Sequence, residues 1–223
     1  MKKFILPLLL LLAVGMLAAV ESDPSDVVGY LKYPCVAGLN LVALPMDSGY
    51  TLASEVIAAY NTGDEIDTVF MWNADFQIWD YTQNQGGNYF DPDFAVAPGS
   101  VLYFNTSTGF DFYSMGPLPV ANANYPVVAG LNLVMVPLNR SDCVLGSQIA
   151  TEVGVDQVDT IFMWNPLQVW DYTQNQGGDY FDPDFALNIG TPVYFNSAVT
   201  GVWPPALAKT DRTPLYSNSL KSK

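Results

Sequence analysis

Apolar and polar positions alternate along this chain in short runs that change period every ten to fifteen residues. Leu39 to Leu44 is a continuous apolar run closed by Pro45, which reads as a buried strand. Thr51 to Tyr60 places Leu52, Val56, Ala59 and Tyr60 at helical spacing, with Thr51 as the expected N-cap. Thr68 to Trp72 and Gln77 to Thr82 are rich in aromatic and β-branched residues and flank Asn73-Ala74-Asp75, the pattern of a hairpin. Gln83 to Gly87 is a polar loop ending in glycines, and Asp91-Pro92-Asp93 is a turn. Val101 to Phe104 and Phe110 to Tyr113 supply two further strands. The order is strand, helix, hairpin, strand, strand.

The whole pattern then occurs a second time. Tyr33 to Asn73 aligns with Tyr125 to Asn165, and Gly-Leu-Asn-Leu-Val at Gly38 recurs at Gly130. Phe-Met-Trp-Asn ends at Asn73 and again at Asn165, after which the second copy is one residue shorter. Trp79 to Gly87 is identical to Trp170 to Gly178, and Tyr89 to Ala95 is identical to Tyr180 to Ala186. Self-similarity of this length outranks local signals and predicts the architecture. The expected fold is mostly β (α+β): two tandem, pseudo-symmetric, small β-sandwich or barrel-like repeats, each with one short helix. The expected boundaries are a leader at 1–19, a lead-in at 20–32, repeats at 33–119 and 120–208, and a basic tail at 209–223 without fixed structure.

A strand of the form Gly-[Trp/Leu]-Asn-Leu-[Val/Ile]-x-[Leu/Val]-Pro followed by a Trp-Asn…Trp hairpin resembles tandem repeats of bacterial secreted and cell-surface proteins. The likeness covers 33–116 and 125–204. It implies an extracellular, non-catalytic β module, and it carries over no catalytic residue.

Composition sharpens the location. Lys2 and Lys3 precede an apolar stretch from Phe4 to Met16, then small Ala18 and Ala19 and the polar run from Glu21 to Asp26. This is the three-part pattern of a secretory signal peptide, with Ala19 fitting the −1 position and Leu17 bulky at −3. A retained N-terminal anchor is the alternative. The chain is therefore expected to be secreted, extracellular or on the cell surface, with the periplasm as a further possibility, and to have no membrane span once mature.

The 223 residues are 50% hydrophobic and 13% charged, where globular domains average roughly 25% charged. The net charge of −14 argues against nucleic acid as a partner. Loss of the leader would leave six cations against 22 acids. Only Lys32 and Arg140 lie between Val20 and Ala208, whereas Lys209, Arg212, Lys221 and Lys223 crowd the tail beside the single acid Asp211. An acidic body and a basic tail suggest that one molecule docks on the next, or on neighbouring surface proteins.

There is no histidine, which removes Ser-His-Asp and Cys-His mechanisms and His-ligated zinc. Of the four glutamates, Glu55 aligns with Ser147 and Glu65 with Gln157, so no acid–base pair is kept between the copies. No enzymatic activity is expected.

Binding is the better prospect, because the Trp-Asp-Tyr-Thr-Gln-Asn-Gln-Gly-Gly block and its sequel differ only at Asn88/Asp179, while 46–63 and 138–155 share little. Such a block is kept either by what its side chains meet or by a recent duplication. Asp80 and Thr82 are polar, which assigns Trp79 and Tyr81 to the core. The aromatic-amide set Asn84, Gln85, Tyr89, Phe90 and its copy Asn175, Gln176, Tyr180, Phe181 is the candidate ligand site. Aromatic rings stack on sugars and amides bond hydroxyls, so glycans are the alternative partner, with the chain acting as a carbohydrate-binding module.

Asp91, Asp93, Asp182 and Asp184 form the weak candidate for calcium, against the simpler reading of carboxylates capping backbone N–H groups. No other cofactor is expected. Cys35 and Cys143 fall outside the repeat pattern, and either form one disulfide joining the copies or serve as two small buried hydrophobes.

Overall fold

The computed structural model describes residues 28–60, 65–87 and 89–205. The leader, the first part of the lead-in and the basic tail lie outside the described residues. The fold is mostly β and sandwich-like, and the repeat is visible in space as well as in sequence.

In the first repeat, β2 (Gly38–Ala43), β3 (Ile66–Asn73), β4 (Ile78–Asn84), β5 (Phe90–Asp91) and β6 (Val101–Thr106) form one antiparallel sheet in the order β2-β6-β3-β4-β5. Helix α1 (Ala53–Ala58) lies on the connection from β2 to β3, which crosses over the intervening β6. A second layer is made by β1 (Val28–Cys35) paired with β7 (Phe110–Pro117). Val28 to Lys32, expected in the lead-in, form the first part of a strand that runs on into repeat 1.

The second repeat copies this plan. Strands β9 (Gly130–Met135), β10 (Val158–Trp164), β11 (Trp170–Gln174) and β12 (Pro192–Ser197) pair in the order β11-β10-β12-β9. Helix α2 (Gly146–Val153) takes the place of α1. The second layer is the shorter pair β8 (Tyr125–Val127) and β13 (Gly201–Trp203).

Each repeat encloses its own core between its larger sheet, its helix and its strand pair. Val42, Val56, Ile57, Val69, Phe104 and Phe112 centre the first, and Val134, Ile149, Ile161, Val193, Phe195 and Trp203 the second. Ala43, Val101 and Met135 form a third, smaller cluster that joins them.

Local chemistry explains the Gly-Leu-Asn-Leu-Val motif. Buried Asn40 accepts from Val36 N–H (2.8 Å) through Oδ1 and donates to the Val36 carbonyl (2.7 Å), closing the turn that leads into β2. Asn132 does the same with Val128 at 2.9 and 2.8 Å. Gly38 and Gly130 precede at φ +103° and +112°, a backbone region that side-chain-bearing residues disfavour.

Helix α1 starts one residue later than expected. Leu52 occupies the N-cap position, and Glu55 folds back to accept from Thr51 N–H (2.7 Å) and Leu52 N–H (3.2 Å). Thr51 thus donates to the glutamate instead of capping the helix, because a carboxylate three residues inside the helix reaches those N–H groups more favourably. In α2, Gln148 makes the equivalent pair with Val144 and Leu145.

Candidate functional site

The two faces of the larger sheets settle where the duplicated block points. Thr82, opposite Val69, is fully buried in the first core, and Thr173, opposite Ile161, is buried in the second. Trp79 and Tyr81 lie on the other face, and Tyr81 is 54% exposed. This reverses the assignment made from alternation. Polarity misleads here because both faces make packing contacts, one with the repeat's own core and the other in part with the second repeat, and a threonine methyl is enough to pack.

That second face builds a continuous band of rings. Trp79 meets Trp72 (5.1 Å between centroids), Tyr103 (5.3 Å) and Tyr194 of the other repeat (5.9 Å). By pseudo-two-fold equivalence Trp170 meets Trp164 (5.0 Å), Tyr194 (5.4 Å) and Tyr103 (6.1 Å). Nearly all these contacts are edge-to-face, the arrangement favoured by ring quadrupoles. The band extends outward through Phe70 to Tyr81 on one side, and through Phe162 to Tyr172 on the other.

Polar contacts fix the junction with the same symmetry. The Trp72 indole N–H donates to the Leu131 carbonyl (2.9 Å), and that of Trp164 to the Leu39 carbonyl (3.0 Å). Gln77 donates to the Leu131 carbonyl (2.9 Å) and accepts from Leu131 N–H (2.8 Å), while Gln168 donates to the Ala37 carbonyl. Tyr33 O–H bonds the Gly190 carbonyl and Tyr125 O–H the Gly99 carbonyl, both at 2.9 Å. Gly38 packs against the Gln168 amide and Gly130 against that of Gln77, where a Cβ would collide.

The loop site expected from sequence is divided. Tyr89 and Tyr180 are exposed, as are Gln85 and Gln176, but Phe90 and Phe181 are buried in their own cores. The two phenylalanines are thus corrected from platform to core, because the strand alternation that exposes each tyrosine turns the next residue inward. Asn84 and Asn175 accept from Gly86 and Gly177 N–H (2.9 and 2.8 Å), so their amides brace the loop. Gln85 and Gln176 donate to the carbonyls of Gln83 and Gln174. A ligand at this loop would have to compete with these internal bonds.

Two of the four carboxylates expected to bind calcium, Asp93 and Asp184, are used otherwise. Asp93 accepts from Ser54 N–H (3.2 Å) and Phe94 N–H (2.9 Å), and Asp184 from Ser147 N–H (3.2 Å) and Phe185 N–H (2.9 Å). They cap the first turns of α1 and α2. Among the described residues, no group of three or more acidic or thiol side chains converges as a metal site would require. Asp91 and Asp182 are exposed.

Cys35 and Cys143 are free, buried thiols in separate cores, so the bridge between copies is not formed. Burial pushes Cys35 up to about 12 and Cys143 up to about 11. Glu152 accepts from Trp203 Nε1 (2.9 Å) and pairs with buried Arg140, which also binds Asp142.

The residues that sequence reasoning missed are those of the junction: Trp72, Trp164, Gln77, Gln168, Tyr103 and Tyr194. Their signal was present, since each is kept between the copies.

No family model, no curated protein and no solved structure matches this chain significantly.

Proposed function

We propose that this chain is a secreted, non-catalytic structural or adhesive module of the extracellular space or cell surface, acting through contacts made by a rigid two-repeat body. The observation that carries the reading is the band of rings that runs unbroken across both repeats and remains open to solvent at Tyr81 and Tyr172. Exposed aromatic surface costs solubility and is kept where it meets a partner.

Three further features support it. The leader pattern at 1–19 addresses the chain outside the cytoplasm. Glu55, Glu152, Asp93 and Asp184 are each tied into structural hydrogen bonds. The likeness to repeats of bacterial surface proteins points the same way. The acidic body and basic tail give such a module a means of associating with its own kind or with neighbours.

Expression of the full chain in a bacterial host, with fractionation and N-terminal sequencing, tests the address. The expected product lies outside the cytoplasm and starts at Val20; a cytoplasmic product retaining Met1 would overturn it. Light scattering at low and high salt, with and without 209–223, tests the contact. Salt-sensitive association that depends on the tail is expected, and a strict monomer throughout would reject the tail's role.

A further inference from the structure

Among the contacts at the junction of the repeats, four polar groups are left over. The indole N–H groups of Trp72 and Trp164 are taken by carbonyls, but those of Trp79 and Trp170 have no hydrogen-bond partner among the described residues. The phenol groups of Tyr103 and Tyr194 likewise have none. None of the four belongs to the fully enclosed polar atoms, although the Tyr103 and Tyr194 side chains are largely buried. Buried Thr82 and Thr173, in contrast, have orphan hydroxyls sealed inside the cores.

Three of these four groups border one trough. Leu39, Phe70, Trp79, Tyr103, Trp164 and Trp170 line an open groove of about 270 Å³, drawn from both repeats. Its volume falls just below the roughly 300–1,000 Å³ of sites that enclose a whole small molecule. The rings nevertheless continue beyond it in both directions, to Tyr81 (54% exposed) and Tyr172 (61% exposed). A small groove inside a long aromatic band fits an extended chain of small rings better than a single compact ligand.

The charge distribution narrows the class. No residue lining the groove carries a formal charge. The cations among the described residues, Lys32 and Arg140, are both engaged, with Asp111 at 2.6 Å and with Asp142 and Glu152. A chain of net charge −14 whose two cations among the described residues are so occupied disfavours an anionic polymer at this groove.

We propose that this groove and the band around it bind a neutral polysaccharide of pyranose rings with equatorial hydroxyls. Such rings expose flat C–H faces that stack on indole and phenyl rings. Their hydroxyl and ring oxygens accept from Trp79 and Trp170 Nε1 and from the Tyr103 and Tyr194 phenols. The edge-to-face contacts hold the rings in place beforehand, so little side-chain freedom is lost on binding. The inference rests on the reading of the chain as an extracellular contact module and names what that contact is. It moves the carbohydrate site from the Asn84–Phe90 and Asn175–Phe181 loops to the junction.

The test titrates the exported chain with cellohexaose, xylohexaose and laminarihexaose, with an oligogalacturonate as the anionic control, following calorimetric heat and tryptophan emission. Saturable binding of at least one neutral hexasaccharide with an emission shift is expected. The double variant Tyr81→Ala/Tyr172→Ala, at exposed positions, should weaken it about tenfold or more. Trp79→Phe, which keeps a ring and removes the donor, should weaken it several-fold.

No binding of any neutral probe, binding indifferent to both variants, or preference for the anionic control would each overturn the proposal. Concentration-dependent dimerisation without sugar binding, lost in Tyr81→Ala/Tyr172→Ala, would also overturn it, while leaving the adhesive reading in place. A chain that is not exported would remove that reading independently of the sugar result.

Discussion

Thr82 and Thr173 show how a single side chain can be held by its neighbours against its own preference. Each is buried in a repeat core, and neither hydroxyl finds a partner. An orphan buried hydroxyl costs about 1–3 kcal/mol, whereas an apolar group of the same shape costs nothing comparable. Thr82→Val and Thr173→Val should therefore each raise stability by about 1 kcal/mol, read as a higher urea midpoint at unchanged slope. A lowered midpoint for both would mean that the hydroxyls are satisfied. These positions are also where the sequence misled, since a polar letter in an alternating strand ordinarily marks the wet face. The pairing of Thr82 with Val69 and of Thr173 with Ile161 shows the opposite.

At the scale of the element, the two short helices solve one problem with different chemistry. Glu55 in α1 and Gln148 in α2 both accept from the two N–H groups ahead of their helix. The backbone N–H donors of Thr51 and Leu52 hold the Glu55 carboxyl below the usual glutamate value of 4.5. A depressed carboxyl stabilises the fold above its unfolded pKa and loses that contribution as pH falls below 4.5 and through the folded value. Glu55→Gln should thus fold normally, as Gln148 demonstrates in the second repeat, but show a flatter dependence of melting temperature on pH across the acid range. An unchanged acid profile in the variant would show that the charge contributes nothing there.

The helices, the hairpins and the closing strands were legible from periodicity and turn residues alone. β5, β1 and its counterpart β8 were not, because strands of two or three residues have no period and Val28 to Lys32 have no counterpart in the second copy.

For the whole molecule, the decisive feature is that each repeat's larger sheet packs on both faces, one wholly against its own core and the other in part against the second repeat. Reciprocal bonds from Trp72, Trp164, Gln77 and Gln168 lock the faces together. Both repeats should then melt in one cooperative transition. Gln77→Ala with Gln168→Ala removes the amide contacts at both ends, and at roughly 1 kcal/mol for each bond should lower the melting temperature by several degrees and broaden or split the calorimetric peak. A single transition at the original temperature would refute the locking role.

The sequence by itself determined that there are two copies of one mostly-β unit, where most of their strands and both helices lie, and how charge is spread between body and tail. Those properties follow from local periodicity, turn chemistry and composition, which neighbours in the chain decide. It also preserved Trp79, Tyr103 and their copies, without saying why. Only the tertiary structure decided that these rings face the other repeat, that Phe90 and Phe181 are core, that Asp93 and Asp184 cap helices, and that the two thiols lie apart. Each of those outcomes depends on contacts between residues far apart in the chain, about forty positions for the carboxylates that cap the helices and more for the rings that face the other repeat, beyond the reach of any local period.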